Sequence, residues 1–274
     1  MKLLAHISDV HFGREDPLLV EGLLEALHQQ KPDLIVVSGD LTQRAKKRQF
    51  RAARAFLDRL PHVPRIVVPG NHDVSATNLV ERAIRPLARY KRFITSDLAP
   101  TYLDPEVAIA GLNTVRLLSR KDGRLNAAQV RTACQQLAPA VPEAVRIIVT
   151  HHPMDKPAAD LKHPLVARSR MAMRQFAAAH VDLFLSGHLH NGLTVATSAR
   201  YKLPGYSAIV AHAGTAVSTR TRDSANAYNL IHLAPGAIQV QQIAWQRNRF
   251  KPAGSEHYRK SPDGWSLLPA DETH

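Results

Sequence analysis

The sequence contains a single cysteine, Cys134, among 274 residues. One thiol excludes an internal disulfide framework and a metal site built from several thiolates, and it fits a reducing compartment. The longest apolar runs, such as Leu34–Val37, are far shorter than the ~18 residues that a membrane-spanning helix needs. The first residues reach Asp9 without a cleavage-like stretch, so we expect no secretory signal and a cytoplasmic location.

Acidic residues are scarce relative to basic ones, with 23 Asp and Glu against 36 Lys and Arg, and the formal net charge is +13. This surplus favours anionic partners such as nucleotides, nucleic acid or phospholipid head groups. A well-solvated basic surface without a specific partner explains the charge equally well. Nucleic acid is an alternative that we do not favour, because the basic stripe Arg44–Arg54 offers only Phe50 for stacking on bases.

Strand and helix patterns alternate through the first third of the chain. Buried-type strands are predicted at Leu3–Ser8, Asp33–Asp40 and Arg65–Val68. An amphipathic helix is predicted at Gln43–Leu60. Such strand–helix–strand units indicate parallel pairing with helices on the sheet faces. From Leu193 onward, strands separated by turns replace this pattern, which predicts antiparallel or mixed pairing.

Five short polar motifs each follow a predicted strand. In open α/β sheets, ligands bind outside the carboxyl ends of the strands, so five motifs at such ends should converge on one place. Asp9 and Asp40 are 31 residues apart, and so are Asp40 and Asn71, which is about the length of one strand–helix–strand unit. The motifs are DVH at Asp9–His11, GD at Gly39–Asp40, GNHD at Gly70–Asp73, THH at Thr150–His152 and GHLH at Gly187–His190.

These motifs supply seven candidate metal ligands with mixed nitrogen and oxygen donors and no sulfur. The set is too large for one tetrahedral zinc ion and too rich in nitrogen for calcium. It suits two borderline transition ions, such as Mn, Fe, Zn or Co, that share Asp40. The seven candidates are Asp9, His11, Asp40, Asn71, His151, His188 and His190.

The charge of such a site indicates its substrate. Two divalent ions bring four positive charges, while Asp9, Asp40 and a bridging hydroxide remove three of them. One net positive charge remains, which matches a phosphodiester monoanion. Two ions about 3.5–4 Å apart generate a hydroxide and clamp phosphoryl oxygens for in-line displacement. The residues therefore predict two-metal hydrolysis of a phosphodiester.

The ordered motifs D-x-H, G-D, G-N-H-D, H-H-P and G-H-x-H resemble those of the calcineurin-like metallophosphoesterase superfamily, over roughly Lys2 to Val240. The resemblance implies an α/β fold in which two mixed β-sheets pack as a sandwich flanked by helices. Its dimetal site lies at the carboxyl ends of strands. It also implies divalent or mixed-valence metal ions as cofactors.

The resemblance further implies a role for each motif residue. His72 is the substrate-facing, catalytic histidine, to which we assign the proton donated to the leaving group. The ligand of the THHP stretch is His151, because the family pattern places it two residues before the proline, and His152 is the alternative. One metal would be held by Asp9, His11, Asp40 and His190, and the other by Asp40, Asn71, His151 and His188.

The sequence departs from the pattern of phosphoprotein phosphatases at GDLTQRAK, where Gln43 stands in place of an expected Asp. This argues against a Ser/Thr phosphatase. The GDLT and GNHD context looks more like bacterial class III cyclic-nucleotide phosphodiesterases and glycerophosphodiesterases. The leading prediction is thus a metal-dependent diesterase that acts on a small diester, with a cyclic nucleotide first.

Three other functions remain open from the sequence. One is a nuclease on DNA or RNA. A second is a hydrolase of a nucleotide-linked lipid at its pyrophosphate, with the segment Pro153–Val166 over an acyl chain. A third is a scaffold on this fold that has lost its metals, as a retromer subunit has; the intact ligand positions argue against it.

Four further residues are candidates for substrate contact: Asn113, His152, Arg220 and Arg222. Asn113 ends a predicted strand, and the two arginines follow another and could grip a phosphate. We expect residues 1–246 to form one metallophosphoesterase domain. Residues 247–274, which lack periodicity, should form a tail that packs on the surface or is partly disordered. A homodimer is a possible assembly.

Overall fold

The structure is a computed structural model that describes residues 1–75, 82, 84–116, 121–157, 160, 163–219 and 224–269. The helices described are α1 (Pro17–Gln30), α2 (Lys47–Arg59), α3 (Ala88–Phe93), α4 (Ala127–Leu137) and α5 (Ser169–Ala178). The strands described are β1 (Lys2–Ile7), β2 (Leu34–Val37), β3 (Arg65–Val67), β4 (Thr101–Leu103), β5 (Val107–Gly111), β6 (Val145–Val149), β7 (Leu183–Ser186), β8 (Leu193–Ala196), β9 (Ile209–His212), β10 (Ala227–Ala234), β11 (Ala237–Gln246), β12 (Arg249–Ser261) and β13 (Gly264–Leu267).

The strands form two mixed sheets, as predicted. The first has the order β13-β12-β11-β10-β1-β2-β3, and the second the order β4-β5-β6-β7-β9-β8. In the first sheet β1, β2 and β3 run parallel, which confirms the parallel pairing predicted for the first third. Its later strands are antiparallel. The second sheet also contains parallel strands, and the last of these along the chain, β9, pairs with β7.

The hydrophobic core has three layers. Between the sheets, Val36 of β2 faces Ile147 of β6 and its neighbours. Outside the first sheet, α1 and α2 bury residues such as Leu23 and Phe50. Outside the second sheet, α4 and α5 contribute a further layer that contains Phe176. Strand β2 is buried on both faces, which explains its unbroken apolar sequence.

Local sequence signals set the helix ends near the site. Asp16 accepts a hydrogen bond from the backbone amide of Leu18 and precedes Pro17 at the first helical position of α1. Such caps stabilise a helix by about 0.5–2 kcal/mol. Asn126 caps α4 in the same way through the amide of Gln129.

The sequence assigned residues 247–274 to a tail that packs on the surface or is partly disordered, and in the structure residues 249–267 are mostly in strands. They form β12, which pairs with β11, and the short strand β13. Tyr258 and Trp265 anchor these strands in the core between the sheets. Most other residues of β12 are exposed or half-buried, so the apolar alternation that marks a strand is absent. Among the described residues, no helix is long and apolar enough to cross a membrane.

Candidate metal centre

The five motifs meet where strands of both sheets end. Asp9 and Asp40 follow β1 and β2 of the first sheet, and His151 and His188 follow β6 and β7 of the second. The backbone amide of His188 donates to Oδ2 of Asp9 at 2.9 Å. This hydrogen bond joins the two sheets at the site, across 179 residues of sequence.

The backbone is strained at five of the seven candidate ligands. These five have left-handed backbone conformations, which cost a non-glycine residue about 1–2 kcal/mol. Such strain persists only where the surrounding structure imposes it, and it is typical of functional sites. The five φ values are 53° for Asp9, 45° for His11, 53° for Asp40, 70° for His188 and 62° for His190.

Asp9, His11 and His190 form the first ligand group. Oδ1 of Asp9 lies 3.4 Å from Nε2 of His11 and 3.7 Å from Nε2 of His190. Nδ1 of His190 is 2.6 Å from the hydroxyl of Thr215, which holds the ring with Nε2 toward Asp9. Metal-binding histidines commonly have their second ring nitrogen fixed in this manner.

Asn71, His151 and His188 form the second ligand group. Oδ1 of Asn71 lies 3.1 Å from Nε2 of His151 and 3.1 Å from Nδ1 of His188. His151 donates its Nδ1 proton to the carbonyl of Ser38 at 2.8 Å, so Nε2 of the neutral ring carries a lone pair. An amide oxygen and a neutral imidazole nitrogen repel at this distance unless a proton or a cation lies between them.

Asp40 lies between the two groups. Its Oδ2 is 3.4 Å from Nε2 of His151 and 3.7 Å from Nε2 of His11. Its Oδ1 accepts a hydrogen bond from the backbone amide of His72 at 2.8 Å. A carboxylate beside one histidine of each group is suited to be a ligand shared by two ions.

The charges of the site are set by burial and by close imidazoles. Burial opposes ionisation of Asp9 and Asp40, but the histidines around them, foremost His190 and His151 respectively, hold the pKa of both carboxyls below the usual range. Burial alone would lower the pKa of His151, and the nearby Asp40 carboxylate instead raises it to about 9. A metal ion bound by His151 would displace a proton from this histidine.

The donor atoms fit metal ions. Oδ1 of Asp9 is buried and accepts no hydrogen bond from the described residues, which is costly for a carboxylate unless a cation contacts it. Imidazole and carboxylate donors without thiolate suit ions such as Mn, Fe, Co and Zn. Within the described part of the chain, three sets have ligand atoms within 4.8 Å of one another: Asp9 with His11 and His190, Asp9 with Asp40 and His151, and His151 with His152 and His188.

Two motif glycines lie where a side chain would collide with a carboxylate. A Cβ atom on Gly70 would be 2.1 Å from Oδ1 of Asp40, and one on Gly187 would be 2.4 Å from Oδ2 of Asp9. Real Cβ atoms essentially never come within 3.0 Å of such neighbours. The glycines of GNHD and GHLH are thus required because the backbone passes against the candidate ligands.

His72 is oriented by the main chain. Its Nδ1 donates to the carbonyl oxygen of Gln43 at 2.8 Å, whereas the side-chain amide of Gln43 is farther away, at 3.5 Å. The rings of His72 and His11 meet edge to face, with centroids 4.9 Å apart. Gln43 stands where the phosphatase pattern has an Asp, and its backbone carbonyl, not a carboxylate, holds the His72 ring.

The histidine pair His151-His152 divides into two different environments. Nδ1 of His152 is 2.7 Å from the hydroxyl of Thr114, and Nε2 is 3.0 Å from the carbonyl of Lys121. Both ring nitrogens of His152 are therefore engaged by protein groups, whereas Nε2 of His151 faces Asp40 and Asn71. Nε2 of His151 is thus the ring nitrogen of this pair that faces the other candidate ligands, and the choice of His151 as ligand stays a prediction.

The substrate-contact candidates have different positions. Asn113 lines a cavity beside the site, and His152 has its ring centroid 4.8 Å from that of His188. Arg220 and Arg222 lie outside the described residues. Their predicted role, like the ligand roles of the seven motif residues, stays a prediction.

Asp73 is a residue of the GNHD motif to which the sequence assigned no role. Its buried carboxylate accepts hydrogen bonds from the backbone amides of Leu41, Thr42 and Gly70 and from the hydroxyl of Thr42. It thereby ties the loop after β2 to the loop after β3, which carry Asp40 and Asn71. Its position in the motif was the only available signal.

Comparison with known proteins finds a matching family profile and similar phosphodiesterases. The sequence profile of the calcineurin-like phosphoesterases matches residues 2–192. A cAMP/cGMP dual specificity phosphodiesterase of Mycobacterium tuberculosis is 28% identical over 262 residues, which cover 86% of this chain and 77% of that protein. A glycerophosphodiester phosphodiesterase of Enterobacter lignolyticus is 32% identical over 127 residues, which cover 40% of this chain and 45% of that protein.

Solved structures share the fold at low sequence identity. A purple acid phosphatase from yellow lupin superimposes with a TM-score of 0.70 at 11% identity, covering 93% of this chain and 53% of that one. The chain thus spans about half the length of the lupin protein. A dimetal phosphatase from Danio rerio has a TM-score of 0.59 at 15% identity and covers 92% of this chain and 98% of that one.

Proposed function

Because the chain belongs to the calcineurin-like phosphoesterase family, and so is a metal-dependent phosphoester hydrolase, we propose that it hydrolyses a small phosphodiester, with a cyclic nucleotide as its first candidate substrate. The position of Asp40 carries this proposal. Its carboxylate contacts one histidine from each ligand group, which is the arrangement that two neighbouring ions need. The similarity to a cyclic nucleotide phosphodiesterase over most of the chain supports the choice of substrate.

We assign one metal ion to each of the two ligand groups, with Asp40 shared between them. One ion would be held by Asp9, His11, Asp40 and His190, and the other by Asp40, Asn71, His151 and His188. Ions bound there supply an activated water and positive charge against the phosphoryl oxygens. With two such ions and a bridging hydroxide, Asp9 and Asp40 would leave one net positive charge at the site, which suits a phosphodiester monoanion.

His72 is assigned the proton of the leaving group. Its Nδ1 is held by the carbonyl of Gln43, so Nε2 is the nitrogen that gives a proton to substrate. A ribose oxygen leaves as a strongly basic alkoxide unless it is protonated, and general acid catalysis of this kind contributes about 10²–10⁴-fold. A nitrophenolate needs no such proton.

A glycerophosphodiester is the second candidate substrate. The relative from Enterobacter lignolyticus acts on that class by its name, and its 32% identity is confined to 127 residues. The dimetal ligands required for both substrates are the same. The two functions therefore differ only in what surrounds the phosphate.

A turnover panel with Mn²⁺ tests the proposal. The substrates are 3′,5′-cyclic AMP and GMP, glycerophosphocholine, bis(4-nitrophenyl) phosphate, 4-nitrophenyl phosphate and an oligonucleotide, each with and without EDTA. We expect the small diesters to be hydrolysed faster than the monoester, and EDTA to abolish turnover. A matched Asp40→Ala sample reports contaminating activity. A monoester hydrolysed faster than every diester would overturn the proposal.

A further inference from the structure

The structure contains a cavity of about 810 Å³, and one of its lining residues, Gly123, packs against His152. Leu87 and Val115 give it apolar walls, and Asn113, Arg116, Arg124 and Asn126 give it polar ones. This volume falls within the roughly 300–1,000 Å³ of pockets that bind small molecules. The described residues that line the cavity include neither His72 nor any of the seven candidate ligands.

Among the described residues, His152 lies between a lining residue of the cavity and a candidate ligand. Gly123 lines the cavity and packs so closely on His152 that a Cβ atom there would be 2.4 Å from the ring. The other side of His152 meets His188, with ring centroids 4.8 Å apart. The cavity thus lies one packed histidine beyond the candidate ligand His188, a separation that the sugar of a nucleotide substrate would have to span.

The polar groups of the cavity are mostly hydrogen-bond donors. The side-chain oxygen of Asn113 already accepts from the amide of Val115, and that of Asn126 from the amide of Gln129. Both asparagines thus retain NH₂ groups, which add to the guanidinium groups of Arg116 and Arg124. Asp122 is the carboxylate among the described lining residues, and it supplies an acceptor.

Positive charge is concentrated at this cavity. Arg116 and Arg124 both line it, and burial together with the guanidinium groups of Arg124 and Arg168 lowers the pKa of Arg116 from its usual value. Arg116 also donates to the side-chain oxygen of Gln129 at 2.9 Å, which fixes its orientation. Cationic groups such as choline are repelled by this arrangement, so it disfavours glycerophosphocholine.

We propose that this cavity binds the nucleobase of a cyclic nucleotide substrate and favours guanine over adenine, an inference that rests on the proposed hydrolysis of diesters. Guanine presents two acceptors, O6 and N7, on one edge, which match the fork of a guanidinium group. Adenine presents N7 beside an amino donor, which faces the same donors unfavourably. Leu87 and Val115 supply apolar contacts for the base.

The test compares kcat/KM for 3′,5′-cyclic GMP, 3′,5′-cyclic AMP and bis(4-nitrophenyl) phosphate. In the wild-type protein we expect cyclic GMP to exceed cyclic AMP by roughly tenfold, since one bidentate pair discriminates between bases by about 1–3 kcal/mol. Arg124→Gln should remove most of this preference and leave bis(4-nitrophenyl) phosphate within about twofold. Arg124→Lys, which keeps the charge but loses the fork, should also lose the preference.

Arg131→Gln is the matched control, because Arg131 is exposed on the neighbouring helix α4 and lines no part of this cavity. It removes the same charge and should keep the preference for cyclic GMP. Equal turnover of both nucleotides by the wild type, or an unchanged preference in Arg124→Gln, would overturn the proposal while hydrolysis of bis(4-nitrophenyl) phosphate keeps the proposed function intact.

Calorimetric binding of GMP and AMP separates the two proposals if no diester is hydrolysed. That outcome contradicts the proposed function. The binding data then test the proposal for the cavity independently. Tighter binding of GMP than of AMP, weakened in Arg124→Gln, supports that proposal, and equal binding of both nucleotides overturns it.

Discussion

The backbone carbonyl of Gln43 accepts the Nδ1 proton of His72 at 2.8 Å. This hydrogen bond orients the imidazole without a carboxylate behind it. The ring keeps an ordinary hydrogen-bond partner, but it lacks the negative charge that an Asp at this position would add. Gln43, which departs from the phosphatase pattern, therefore supports His72 through its backbone carbonyl, and any residue at this position would offer that group.

Gln43→Ala should retain most of the activity. The carbonyl that holds His72 remains, and only the side-chain amide at 3.5 Å is lost. We expect kcat on a cyclic nucleotide within roughly threefold of the wild type, because a side-chain contact of this length contributes little. Steady-state kinetics with metal-loaded protein measure it. A loss as large as that of His72→Ala would show that the side chain, not the carbonyl, supports the histidine.

His72→Ala should damage substrates according to their leaving groups. Loss of a general acid should slow a cyclic nucleotide by roughly 10²–10⁴-fold, while bis(4-nitrophenyl) phosphate should be nearly unaffected because nitrophenolate leaves without a proton. The ratio of the two kcat values is the measurement. Equal losses on both substrates would instead indicate that a charged imidazole stabilises phosphoryl oxygens.

Asp40→Ala should lose both metal ions. Its carboxylate lies against His11 and His151, so both ligand groups lose the shared ligand. Asn71→Ala should mainly weaken the second ion, because Asn71 contacts His151 and His188. Metal content per chain, measured on purified protein by elemental analysis, checks both variants. Two retained equivalents with near-normal turnover in Asp40→Ala would refute the shared-ligand assignment.

Asp73→Asn should destabilise the metal-free protein. Each carboxylate oxygen accepts two hydrogen bonds from the loops after β2 and β3, so an NH₂ group at either place would face donors. Leaving such buried groups unsatisfied costs about 1–3 kcal/mol. Urea unfolding in EDTA measures the loss. Asp58→Asn is the control, since its exposed pair with Arg54 should contribute no more than about 1 kcal/mol.

The sequence predicted the parallel strands and the motif residues because both leave strong local patterns. Unbroken apolar runs such as β2 can be recognised wherever a strand is buried on both faces. Strand β12 could not be recognised, since its faces are mostly exposed and only Tyr258 enters the core. Hydrophobic periodicity cannot mark a strand that buries little.

Within the site, residue types were predictable and their partners were not. The chemistry of Asp9, Asp40 and the histidines indicates metals directly. That a backbone carbonyl holds His72, and that Asp73 ties two loops together, depends on contacts across about 30 residues. No local pattern encodes such contacts. The cavity with Arg116 and Arg124 is likewise formed by segments that have no shared motif.

The neighbouring histidines His151 and His152 give a final prediction. Only Nε2 of His151 faces Asn71 and Asp40, while both nitrogens of His152 contact Thr114 and Lys121. His151→Ala should therefore lose the second ion and nearly all turnover. His152→Ala should keep both ions, although it leaves the Thr114 hydroxyl and the Lys121 carbonyl without this partner, and it should lower stability by about 1–3 kcal/mol. Metal content and urea unfolding, measured on both variants, separate a ligand from a packed structural histidine, and an ion lost from His152→Ala but kept in His151→Ala would reverse the assignment.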